Sequence, residues 1–229
     1  MFYDPLMMII LIFSMILSFG ASTMLKRRFR KFSKVRIPYS GKEIAERMLQ
    51  AHGISDVAVI STPGSLTDHY NPMKKTVNLS EAVYDEANIA AAAVAAHEVG
   101  HAVQHAQAYR WLTMRSKLVP MVSLSSSLVQ WVLLLGVILA AQGSPTVLLV
   151  GIVMFALTTL FAFITLPVEF DASKRAIAWI GGSGLVPQDQ TSMASNALKW
   201  AASTYVVAAL ASLAQLLYYV MRYMGSSRD

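Results

Sequence analysis

The sequence predicts a mainly α-helical membrane protein with four transmembrane helices and a small α+β domain between the first two. Three observations carry that prediction. Of the 229 residues, 55 % are hydrophobic and only 14 % are charged, whereas about a quarter are charged in ordinary soluble domains. Four apolar runs each approach or exceed the roughly 20 helical residues that cross about 30 Å of hydrocarbon. One polar cluster, His97-Glu98-Val99-Gly100-His101, interrupts an alanine-rich stretch.

The formal net charge of +6 would suit a nucleic-acid binder if the charges were spread over a surface. They are not. Seven of the 19 basic residues lie within residues 26–36, with no acid among them, directly after an apolar run. A cluster in that place reads as a topology signal facing anionic lipid, so the bilayer is the expected partner and nucleic acid is not. The chain has no cysteine, which excludes disulfides and thiolate-held metal. Any metal must be held by His, carboxylate and water.

Residues 1–36 read as an N-terminal anchor with a basic stretch. Residues 6–25 carry no charge, and the basic residues follow the run instead of preceding it. That order, without a small-residue cleavage site, argues for a retained helix over a signal peptide, with the N-terminus outside and residues 26–36 in the cytoplasm. Residues 37–117 form the expected metal domain. Within it, residues 40–53 read as an amphipathic helix, with Ile44, Ala45, Met48 and Leu49 at helical spacing and Gly53 as its stop. Residues 56–62 read as a strand, Pro63-Gly64 and Asn71-Pro72 as turns, and residues 76–80 as an alternating, half-buried strand. A small sheet beside a metal helix either holds an extended peptide by strand addition or simply supports the helix. The alanines of residues 87–108 make that stretch a strong helix former.

Residues 118–167 read as a transmembrane hairpin, with spans near 118–141 and 146–166 joined by the uncharged turn Gln142-Gly143-Ser144-Pro145. Residues 168–199 return to the basic side, and residues 200–229 hold the fourth span, near 201–223, and a tail. Almost every Lys and Arg then lies on one side, with Arg222 and Arg228 the exceptions. Trp111, Trp200 and Tyr223 fall at the expected interfaces.

On a helix, His97 and His101 share a face about 6 Å apart along the axis. That spacing lets two imidazole nitrogens converge on one Zn²⁺. Glu98, one position off that row, stands near the metal without being on it, where it can take a proton from a water. A catalytic zinc keeps three protein ligands. His105 lies about 12 Å from His97 along an unbroken helix, too far to share the ion. Gln107 stands where a third histidine would complete a metzincin pattern, and His52 and His69 are isolated. Glu169 follows the third span directly and returns to the level of the two histidines. An acid at that depth calls for a charged partner, which zinc supplies. Glu169 is therefore the expected third ligand, and Asp171 either supports the ligands from behind or pairs with Lys174 or Arg175.

At these residues the chain resembles the YugP-type membrane zinc metallopeptidases. The likeness rests on the N-terminal anchor, Leu66-Thr67-Asp68-His69-Tyr70-Asn71-Pro72, Val77-Asn78-Leu79-Ser80, Ala96 to Gln104, and Leu166-Pro167-Val168-Glu169-Phe170-Asp171-Ala172-Ser173. It implies a neutral zinc endopeptidase in a prokaryotic inner membrane. A looser likeness joins the chain to the HtpX and CAAX prenyl proteases, where a Glu ligand is followed four residues later by an Asp that orients a zinc-bound histidine. Here Ser173 occupies that position, which leaves Asp171 as the alternative orienting group.

The expected fold of the metal domain is zincin-like and cytoplasmic, with a gluzincin-like ligand set. The expected function is cleavage of membrane-associated or misfolded proteins at the cytoplasmic face. His69 and Tyr70, a pair in the turn-rich segment before the last strand, are the expected donors to the oxyanion. The competing reading is a zinc-binding membrane scaffold or regulator without turnover, which would have no use for Glu98. Neither the cleavage sequence nor the oligomeric state is legible.

Overall fold

The computed structural model describes residues 4–226; Arg228 lies outside them. The chain is mainly helical. Its elements run α1 (Pro5–Phe32), α2 (Gly41–Ala51), β1 (Ala58–Thr62), β2 (His69–Asn71), β3 (Thr76–Ser80), α3 (Glu81–Tyr84), α4 (Ile89–Ala106), α5 (Arg110–Ala140), α6 (Thr146–Ser183) and α7 (Gln188–Ser226). Four of these helices, α1, α5, α6 and α7, are long and apolar enough to cross a membrane. The chain divides into two compact units.

The first unit gathers residues 4–20, 114–166 and 204–226. Its helices approach closely where glycine removes a side chain. A Cβ on Gly136 would stand 2.6 Å from the Leu148 backbone, and one on Gly151 would stand 2.8 Å from the Leu133 side chain. Small residues are how apolar helices gain dispersion contact in a solvent as greasy as themselves. Thr159 and Ser212 join α6 to α7 through their hydroxyls at 2.6 Å. Arg222, an exception to the charge bias, is neutralised: its guanidinium pairs with Asp4 at 3.3 Å, and Tyr218 donates to the same carboxylate at 2.9 Å.

The second unit gathers residues 21–113 and 167–203. Its sheet has the order β1-β3-β2, with β1 parallel and β2 antiparallel to β3. The expected strands are present, although β1 begins two residues late. The segment around Asn71 was expected only to turn. Its first part is the edge strand β2, three residues long and too short to show alternation. Helix α2 starts as its sequence demands: Ser40 caps it, with the reciprocal bond from Ser40 N–H to Glu43, and Gly53 stops it at φ 67°. Its buried Ile44, Ala45, Met48 and Leu49 pack with Val77 and Leu79 of β3 around α4. Buried on nearly every side, α4 carries Ala at 90–93, 95 and 96, all essentially without exposure. Asn88 caps it by accepting from the Ala91 N–H.

The third apolar run was expected to end at Leu166, which sets no limit on how far its helix extends. Helix α6 continues through Pro167 for 38 residues in all, leaving the Phe163 carbonyl without its helical donor. The continuation past Pro167 carries Glu169, which meets His97 and His101 of α4.

Candidate metal centre

Two helices build the centre. On α4, His97 and His101 present their rings edge to face, 4.8 Å between centroids. On α6, Glu169 is almost fully buried, and its Oε2 lies 3.2 Å from His97 Nε2 and 3.7 Å from His101 Nε2. One ligand atom from each of the three lies within 4.8 Å of the others. Two imidazoles and a carboxylate suit a borderline cation such as zinc.

The approach of the two helices depends on Gly100. A Cβ there would stand 2.6 Å from the Ala172 carbonyl oxygen and 3.0 Å from its Cα. Both are backbone atoms that cannot swing aside. Gly100→Ala is therefore expected to destabilise the protein by roughly 1–3 kcal/mol through overpacking. This happens although alanine is the better helix former by about 1 kcal/mol. Thermal unfolding in detergent measures it, and an unchanged or raised Tm would refute the close-approach argument.

Behind the rings, hydrogen bonds set which nitrogen faces forward. Gln104 is fully buried one turn past His101. Its amide nitrogen donates to the Val168 carbonyl and to Asp171, both at 2.8 Å. That fixes its orientation, so its oxygen, 3.1 Å from His101 Nδ1, must accept. The proton of a neutral His101 is thereby held on Nδ1, and the lone pair of Nε2 points towards Glu169. Ser173 Oγ lies 3.1 Å from His97 Nδ1 and can do the same for that ring. Asp171 in turn pairs with Arg175, which also donates to Gln107 at 2.6 Å. Burial pulls the His101 imidazole down, but its hydrogen bond to Glu169 and the charges of Glu98 and Glu169 outweigh that and raise it.

Glu98 is buried beside the centre, and its Oε2 accepts the Tyr70 backbone N–H at 3.0 Å. Edge strand β2 is thus tied to the helix by its main chain. The Tyr70 hydroxyl is engaged elsewhere, 2.8 Å from His105 Nδ1. Burial, with Asp56 adding to it, pushes this phenol above its ordinary pKa, so it is an O–H at neutral pH. His69 is exposed, and its Nδ1 lies 2.7 Å from the Thr67 carbonyl.

Residues 7–224 match a protein family described as a putative neutral zinc metallopeptidase. The chain is also 42 % identical over 211 residues to the "Putative membrane protease YugP" of Bacillus subtilis (strain 168), covering 91 % of this chain and 92 % of that one. The chain belongs to this zinc metallopeptidase family. No solved structure matches it.

For a zinc metallopeptidase, the residue that sequence reasoning passed over is Gln104. A signal was present. Residues 97, 101 and 104 fall on one helical face, and a glutamine among buried alanines and valines must have found partners. Gln104→Leu keeps the volume and removes the acceptor. Zinc affinity is expected to fall about 10–100-fold, the usual cost of losing a group that orients a ligating histidine. Competition with a fluorescent chelator reads it, and unchanged affinity would remove Gln104 from the centre.

Proposed function

We propose that the chain is a membrane-embedded zinc endopeptidase. It cleaves membrane-associated or misfolded proteins at the cytoplasmic face of a prokaryotic inner membrane. The observation that carries this reading is the convergence of His97, His101 and Glu169 beside a buried carboxylate, Glu98, that is not one of the three. In this reading the metal domain is zincin-like, its HExxH helix is α4, and Glu169 supplies the gluzincin-type third ligand. It is assembled from residues 37–117 and completed by residues 168–199.

Zinc, when bound by these three side chains, acts as a Lewis acid towards water and the scissile carbonyl. The remaining work falls to the chain. Glu98 has one oxygen held by the Tyr70 N–H, which aims the other. That oxygen takes the proton of the attacking water and later passes it to the leaving amine. Gln104 and Ser173 keep both imidazoles presenting Nε2. Since β2 is an edge strand whose outward Tyr70 N–H is given to Glu98, an extended peptide lying across Glu98 pairs with the strand through the Tyr70 carbonyl. His69 and Tyr70, both on β2, are the proposed donors to the oxyanion. Tyr70 would have to release His105 to serve.

Sidedness and activity are tested together with membrane vesicles and added casein. Inverted vesicles, which expose the cytoplasmic face, are expected to degrade casein, with loss on chelation and recovery on adding zinc. Intact right-side-out vesicles are expected to leave it whole. Cleavage by right-side-out vesicles alone would overturn the cytoplasmic assignment.

A further inference from the structure

Outside the metal centre, the second unit contains a groove of about 410 Å³ between α6 and α7. Phe170, Ile177, Leu198 and Ala202 line it, and Lys174 and Lys199 stand on its walls, one from each helix. Both lysines are exposed. Neither has an acidic partner among the described residues, and the only acid between residues 173 and 200 is Asp189, about 15 Å along α7 from Lys199. Two unpaired ammonium groups over an apolar trough favour a ligand with a negative head and a greasy tail.

Placement along the helices narrows the ligand. Lys174 lies eight residues beyond Leu166, where the third apolar run ends, and Lys199 lies two residues before Ala201, where the fourth begins. Helical side chains lean towards the N-terminus of their helix. On α6 that direction is back towards the apolar run, and on α7 it is away from it. The two ammonium groups are therefore drawn towards one level, at the edge of the apolar runs, where lipid phosphates lie. A water-borne acidic peptide would gain nothing from a trough whose walls continue as membrane-crossing helices.

We infer that this groove binds an anionic membrane phospholipid, with the phosphate between Lys174 and Lys199 and an acyl chain over Phe170 and Ala202, the apolar lining residues on the membrane side of the two lysines. Ser173 lines the same groove and touches His97, so the lipid would sit one side chain from the metal centre.

Native mass spectrometry of the full chain in detergent, offered phosphatidylglycerol and phosphatidylcholine in equal amounts, tests this. One phosphatidylglycerol per chain is expected to be retained in preference. Removing both charges in Lys174→Gln/Lys199→Gln is expected to weaken that retention roughly thirtyfold. Lys74→Gln, on the turn between β2 and β3, should leave it unchanged. Ala178→Trp, which fills the trough with both charges intact, is expected to lose the lipid as well. Zinc content reports that each variant remains folded. Equal retention of the two lipids by the wild type would overturn the proposal. So would a preference that survives the double substitution, or displacement of the lipid by an acidic peptide. No readout requires proteolysis, so failure here leaves the peptidase reading untouched.

Discussion

Glu98→Gln is expected to bind zinc as the wild type does and to cleave casein about 10²–10⁴-fold more slowly, the contribution of a placed general acid–base group. The substitution changes little else. Glutamine has the same shape, and its amide oxygen can still accept the Tyr70 N–H that the carboxylate accepts at 3.0 Å. The edge strand thus stays tied to α4, and the fold is preserved. What the amide cannot do is take a proton near neutral pH. Because Glu98 stands outside the trio of grouped donors, its loss should not release the metal. Zinc analysis and casein hydrolysis on the same preparation separate the outcomes. Zinc kept with activity lost supports the assigned role. Undiminished activity would place the base elsewhere. Zinc kept with neither protein active would favour the scaffold reading.

The parts of the molecule that the sequence made legible are those whose signal is local. A run of twenty apolar residues has few fates other than a span, and all four runs are helices long enough to cross. Strand β3 alternates in sequence and falls at Thr76–Ser80 as expected, but as the central strand it is buried at Val77, Asn78, Leu79 and Ser80 alike and not on one face only. Ser40 and Gly53 bracket α2 because a cap and a left-handed stop are written in single residues. What stayed hidden depends on partners far along the chain. Strand β2 is three residues long and exists only through its pairing with β3. The third apolar run gives no sign of how far its helix extends, and α6 runs on through Pro167 into the buried contacts of Val168, Ala172 and Ala176. From its spacing, Asp171 reads either as a partner of Lys174 or Arg175 or as a support behind the ligands. In the structure it pairs with Arg175 and also accepts from Gln104. The group actually next to His101 is Gln104 itself, whose role could be read only as an unexplained polar residue on a buried face.

Glu169→Gln is the sharpest test of how the centre is assembled. Glu169 is 3 % exposed, and glutamine fills the same space, so the packing of α6 on α4 at Gly100 should survive. The charge does not. Two neutral imidazoles from one helix are left, one ligand short of the usual three, and the amide brings no negative charge to offset the cation. Removing a group that merely orients a ligand costs 10–100-fold in affinity, so losing the ligand itself should cost more than roughly a hundredfold. Dialysed protein is expected to hold little zinc and to show no casein cleavage, with its thermal unfolding close to that of metal-free wild type. Glu169→Asp keeps the charge but draws it back by one methylene from His97 Nε2, now 3.2 Å away. It should fall between the two. A Gln variant that keeps its zinc would require another carboxylate at the site. Among the described residues, the grouped metal donors are His97, His101 and Glu169 alone.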